Sequence, residues 1–201
     1  MICMPFVGAI IQRYDGRKVV FCGLIVGAVS MFIMQRFSLD AAYRDFVWPR
    51  IVLGIGLAMI FVPLTTLTLS TISKEEMGNA TGIFSLLRNV GGSVGIAISA
   101  TLLSRYSQFY QTNLVAHVTP YNPLVQSKLE MLKHATMARG MDAVAADKTA
   151  LAIIYGEVKR QSYMLAYNRI FFIVGLAFLI MIPLLLLLKK PQRHAPPPPA
   201  H

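Results

Sequence analysis

Ala166–Leu188 reads AYNRIFFIVGLAFLIMIPLLLLL, and it decides the fold class. Its one charged residue, Arg169, stands near its start, and Phe171–Leu188 holds no polar side chain. Crossing a hydrocarbon core of about 30 Å takes about 20 apolar residues in a helix. Val19–Gln35, Trp48–Leu69 and Ile83–Leu103 meet the same requirement. The chain of 201 residues is 55% hydrophobic and 14% charged, and its mean hydropathy is +0.57. Soluble domains carry about 25% charged residues, so a single soluble domain is excluded.

The opening run Met1–Ile11 is apolar but reaches only about 17 Å as a helix, half a membrane. No basic stretch precedes it and no small-residue cleavage site follows, which argues against a signal peptide. The expectation is a helix cut in half, in a sequence that starts inside a larger protein. Net charge is +10, from 19 Lys and Arg against 9 Asp and Glu. The positives fall in short clusters between apolar runs, which is a topology signal and not a nucleic-acid patch. Gln12–Lys18 carries Arg13, Arg17 and Lys18, Ser73–Asn79 carries Lys74, and the tail carries Lys189, Lys190 and Arg193. In Arg36–Asp45 the two bases are matched by two acids. Positive-inside places the first three segments in the cytoplasm and Arg36–Asp45 outside, together with the long connection Ser104–Leu165. Cys3 and Cys22 lie in apolar runs and read as small buried hydrophobes, not as a disulfide or metal ligands.

Four stretches follow: 1–103 with the truncated span and three full ones, 104–165 outside, 166–188 as the last span, and a proline-rich cytoplasmic tail at 189–201. Within the outer stretch, Leu124–Ala138 and Thr149–Tyr163 mix apolar and charged residues at helical spacing and predict two amphipathic helices. The successive prolines of the tail predict a disordered or polyproline-like end.

The spans differ in polarity. Phe171–Leu188, apolar on every side, suits a supporting position against lipid. Along Trp48–Leu69, Arg50, Gly54, Leu57, Phe61, Thr65 and Thr68 gather on one stripe at about 100° per residue. Pro63 interrupts that helix as a hinge or a tolerated kink. Ile83–Leu103 repeats the pattern: Thr81, Ser85, Arg88, Gly92, Gly95 and Ser99 share one side, and Ile83, Leu86, Val90, Val94 and Ala97 the other. Such a face means helix packing or an aqueous cavity. Gly54, Gly56, Gly91, Gly92 and Gly95 serve either. Arg88, about two turns into its span, points to a functional or paired role, the competing reading being a side chain that snorkels to the interface. Phe84 and Asn89 flank it and join the candidate path with Arg50, Phe61, Thr65, Thr68 and Ser85.

No Asp or Glu lies within any span, so an intramembrane proton carrier is missing from this segment. His117, His134, His194 and His201 have no metal-ligand spacing, and no nucleophile elbow, zinc-protease helix or phosphate loop occurs. No enzyme and no metal site are expected.

VWPRIVLGIGLAMIFVPLTTLTLS, then KEEMGNATGIFSLLRNVGGSVGIAI, resembles the C-terminal half of the EmrB/QacA-type drug:proton antiporters, the fourteen-span branch of the major facilitator superfamily. The resemblance continues through SRYSQFYQTNLVAHVTPYNP and SYMLAYNRIFF, is nearest the EmrB side, and covers essentially the whole chain. It implies an all-α integral membrane fold, part of the C-terminal half: a half span, four full transmembrane helices and a long periplasmic helical segment. Gly8, Gln12, Arg13, Asp15, Gly16, Arg17 and Lys18 resemble the family's cytoplasmic loop signature, with Gln12 where Asp often stands. Arg50, Gly54, Gly56 and Ala58 resemble its R-x-x-x-G-x-G-x-A helix. In that architecture the spans Trp48–Leu69 and Ile83–Leu103 line the cavity, while Val19–Gln35 and Ala166–Leu188 support them.

The function so implied is proton-driven export of amphipathic or hydrophobic drugs across a bacterial inner membrane, with no cofactor beyond the proton gradient. Implied partners are membrane lipid, the missing N-terminal half, a periplasmic adaptor, an outer-membrane channel and small-molecule drugs, but no nucleic acid. A transporter of one metabolite, or a non-transporting membrane scaffold, are the competing functions.

Overall fold

A computed structural model describes residues 15–69, 72–73, 75–119 and 121–187. The half span expected at Met1–Ile11, the signature positions Gly8, Gln12 and Arg13, and the tail lie outside them. Among the described residues there are five helices and no strand: α1 (Gly16–Met34), α2 (Tyr43–Leu69), α3 (Met77–His117), α4 (Pro123–Met137) and α5 (Ala143–Leu187). Four of them, α1, α2, α3 and α5, are long and apolar enough to cross a membrane.

The described residues divide into two compact units. The first takes those of Met1–Ile33, Tyr43–Asn89 and Val174–His201, that is α1, α2, the start of α3 and the end of α5. Helix α1 opens at Asp15, whose carbonyl accepts from the Lys18 and Val19 amides at 2.8 and 3.3 Å. It is the most enclosed of the four spans. Val20 and Leu24 pack with Leu185 of α5, and Ile60, Phe178 and Ile182 close around them. Against α2 the approach is backbone to backbone. A Cβ on Gly56 would lie 3.0 Å from the Gly27 amide nitrogen and 3.1 Å from the Gly23 oxygen. One on Gly23 would lie 2.9 Å from the Gly56 oxygen. Gly23-x-x-x-Gly27 is the small-residue spacing by which helices approach closely in lipid, where apolar tails give no hydrophobic force between them. The buried Ser30 hydroxyl adds a polar tie, donating to the Pro49 carbonyl of α2 at 2.6 Å. On the α5 side a Cβ on Gly175 would meet the Met31 Cβ at 3.2 Å, and the Phe178 ring lies 3.5 Å from a Cβ on Gly27.

The second unit takes Met34–Ala42 and Val90–Ile173. Two expectations change here. The span predicted to stop at Leu103 continues as α3 to His117, and the helix predicted over Thr149–Tyr163 is not separate, because α5 runs unbroken from Ala143 to Leu187. At 1.5 Å per residue the 41 residues of α3 reach about 60 Å and the 45 of α5 about 67 Å, roughly twice a hydrocarbon core. Hydropathy marks where lipid ends. Backbone hydrogen bonding carries a helix past that border, and between Gly95 and Pro120 there is no Gly or Pro to weaken it. The other amphipathic helix, predicted over Leu124–Ala138, is α4. Asn122 caps it by accepting from the Leu124 amide at 3.0 Å, with Pro123 in the first turn. Gly140, at φ +90°, makes the tight turn into α5.

Within this unit α5 buries Ala146, Ala150, Ile154, Ser162, Ala166 and Ile170, a ladder of four-residue steps in which Val158 is the half-buried rung. Polar contacts sit outside it: Lys128 with Glu157, Lys133 with Asp147 at 2.8 Å, and Gln111 donating to the Tyr155 hydroxyl at 2.9 Å. Asn168 ties α5 to the α1–α2 connection by donating to the Phe37 carbonyl at 2.9 Å.

Gly56→Val should lower the thermal midpoint and membrane accumulation, since overpacking a tight contact costs about 1–3 kcal/mol. Gly156→Ala, where a Cβ meets nothing within 4 Å, should leave both unchanged or slightly raised. Thermal unfolding in detergent with fluorescence-detected size exclusion measures the difference.

Candidate functional site

The polar stripes of α2 and α3 meet at one place. The Arg88 guanidinium carbon lies 5.0 Å from the centroid of the Phe61 ring. Phe61 stands eight residues before the end of α2 and Arg88 eleven after the start of α3, on either side of the 70–76 connection. At 1.5 Å per residue both are about 12–17 Å from the helix ends, close to half the hydrocarbon thickness. The antiparallel register puts Thr65 at the level of Phe84 and Ser85, and Thr68 at the level of Thr81.

The hydroxyls around this contact are turned onto their own helices. Thr65 donates to the Phe61 and Val62 carbonyls, each at 2.9 Å, and Thr68 to the Leu64 carbonyl at 2.8 Å. Thr81 donates to the Met77 and Gly78 carbonyls and Ser99 to the Gly95 carbonyl. With their protons committed, these groups present acceptor lone pairs at little desolvation cost. Pro63, whose missing amide frees the Met59 carbonyl, lies on the opposite, α1-facing side of α2 and adds nothing to this stripe. The stripe therefore offers acceptors, an aromatic face and one fixed cation.

The other predicted residues scatter. Arg50 lies eleven residues, about 16 Å, before Phe61 along α2 and is exposed. Ser85 and Asn89 are exposed and Phe84 is half-buried. Of the glycines assigned to helix packing, Gly56 meets another helix among the described residues. Among the described residues, a Cβ on Gly54, Gly91, Gly92 or Gly95 would find no atom within 4 Å. Apart from the Phe61 contact, the α3 span is open among the described residues: none of its apolar stretch is buried, and Ile83 and Leu86 on the opposite face are 62% exposed. In the loop signature, Asp15 and Lys18 are exposed and Gly16 and Arg17 half-buried. Sequence reading passed over Gly23, Gly27, Gly175 and Ser30, although the Gly23-x-x-x-Gly27 spacing was a sufficient signal for the first two.

The sequence profile of the Major Facilitator Superfamily matches residues 1–118. The chain belongs to the major facilitator superfamily. Three relatives place it further within the superfamily. It is 30% identical over 169 residues to the colistin resistance protein EmrB of Acinetobacter baumannii, covering 84% of this chain and 32% of that protein. It is 28% identical over 180 residues to the fatty acid resistance protein FarB of Neisseria gonorrhoeae, covering 90% and 34%. With the multidrug export protein EmrB of Escherichia coli strain K12 the identity is 26% over 187 residues, covering 92% and 35%. The chain thus spans about a third of the length of the curated relatives it matches. None of the solved structures gives a significant match. Within the superfamily it is similar to the EmrB-type proteins, and its four membrane-length helices make it a multi-pass protein of the bacterial inner membrane.

A double-mutant cycle of Phe61→Leu and Arg88→Gln should show a coupling of about 0.5–2 kcal/mol, the range for a cation over a ring. Thermal unfolding in detergent measures it, and strictly additive effects would mean the two side chains do not interact.

Proposed function

We propose that this chain forms part of the C-terminal half of a proton-driven exporter of hydrophobic and amphipathic drugs, with Arg88 in the substrate path. The observation that carries the reading is the Arg88–Phe61 contact, a cation held deep in a span with an aromatic face beside it and no carboxylate in any span. Relatives named for multidrug export, colistin resistance and fatty acid resistance support amphipathic cargo in general over one metabolite. Acids that carry the proton would then lie on the other helices of the transporter. Alternating access needs one half rocking against the other, so these 201 residues alone would not transport. The uncovered span of α3 would face that half, or the cavity between the two. A periplasmic adaptor and an outer-membrane channel are the proposed partners, with the α3–α4–α5 region on the periplasmic side.

In the proposed full-length transporter, Arg88→Ala should lower dye efflux about tenfold or more with normal membrane insertion. Arg88→Lys should restore only part, because an ammonium lacks the planar fork of guanidinium. Normal pumping by Arg88→Ala would remove the residue from the path. For the orientation, Tyr121→Cys, at a position 94% exposed, should react with an impermeant maleimide added to intact spheroplasts. Glu76→Cys should react only after permeabilisation, and the reverse pattern would overturn the topology.

A further inference from the structure

The first turn of α1 borders a cavity of about 440 Å³ lined by Arg17, Lys18, Phe21, Cys22 and Leu185. Its layout is ordered along the helix. Phe21 follows Arg17 by four residues and Cys22 follows Lys18 by four, so each cation has an apolar side chain on its own face about 6 Å deeper. Leu185 of α5 supplies the facing wall. Among the described residues no acid lines it. Asp15, the nearest carboxylate in sequence, is exposed. One guanidinium nitrogen of Arg17, Nη2, is shielded from solvent and has no hydrogen-bond partner. A buried donor of this kind costs free energy unless an acceptor reaches it, and a charged one more so. A second cavity, of about 520 Å³ in the other unit, differs in kind: it is lined by both signs of charge, and its Lys128 and Glu157 already neutralise one another.

We infer that the Arg17–Lys18 cavity is a binding site for an anionic phospholipid, whose phosphate accepts from Arg17 Nη2 and Lys18 Nζ while an acyl chain runs inward along Phe21, Cys22 and Leu185. Cations at a span's end over apolar walls match a molecule that is anionic at one end and apolar at the other. Basic pockets between spanning helices at the cytoplasmic boundary favour such headgroups. A free phosphate ion would satisfy the guanidinium but leave the apolar walls unused. The site is independent of which drug, if any, the protein exports.

The test is native mass spectrometry of the purified, delipidated protein titrated with phosphatidylglycerol, and with phosphatidylcholine as a zwitterionic reference. Phosphatidylglycerol should bind preferentially, and the double substitution Arg17→Gln, Lys18→Gln should weaken it about tenfold or more while phosphatidylcholine adducts stay the same. Unchanged phosphatidylglycerol binding would overturn the site. Excess inorganic phosphate should not displace the lipid; displacement would mean a site for the free anion. Because that variant removes two charges next to a helix start, a second measurement leaves them in place. In a Cys3→Ser background, phosphatidylglycerol should slow alkylation of the exposed Cys22 by N-ethylmaleimide, and phosphatidylcholine should not. Equal rates in the two lipids would also overturn the inference.

Discussion

The backbone contact of Gly56 with Gly23 and Gly27 sets the geometry on which the rest of the first unit depends. In a bilayer the chain around a helix is as apolar as the helix, so burying leucine against leucine gains little. What remains is close packing and the occasional satisfied polar group. The glycines bring α1 and α2 to backbone distance, and the Ser30 hydroxyl on the Pro49 carbonyl adds a tie of about 0.6 kcal/mol, the average for such bonds in membranes. Helix α2 and the end of α5 both pack on α1, and the start of α3 lies beside the stripe that carries Phe61.

Energetics constrain what Arg88 does there. An arginine near the centre of a span costs about 2.5–3.5 kcal/mol on translocon scales. The Phe61 ring returns about 0.5–2 kcal/mol, the upper end only when water is excluded. The difference calls for water or an anion near the guanidinium, and no span of this chain supplies a carboxylate. A residue that sits on the lipid side has neither. That balance, more than the stripe alone, favours the interior of a transporter for this face of α3.

The fold class, the four spans and the separate helix α4 were legible in the sequence, because hydropathy and capping chemistry are local. Asn122–Pro123 announces the start of α4 as plainly as Phe171–Leu188 announces a span. The outward lengths of α3 and α5 were not legible from hydropathy, which falls at the membrane border while the helix continues through Arg105–His117 and Ala143–Leu165. At the site, both stripes were visible from residue spacing, but their meeting at Arg88 and Phe61 depends on how α2 and α3 pack, which no single-helix pattern contains. The glycine stripe of α3 looks the same in sequence as Gly23 and Gly27, yet among the described residues it is the latter that have a helix against them.

A cysteine-accessibility scan of α3 from Thr81 to Ser99, in membranes holding the full transporter and with Cys3 and Cys22 replaced by serine, tests the central claim most directly. If the polar stripe borders an aqueous path, hydrophilic reagents should label positions 81, 85, 88, 92, 95 and 99, and a transported drug should protect those nearest 88. Positions 83, 86, 90 and 94 should stay unreactive. Labelling that follows the second set, or none on either face, would contradict a substrate path along Arg88.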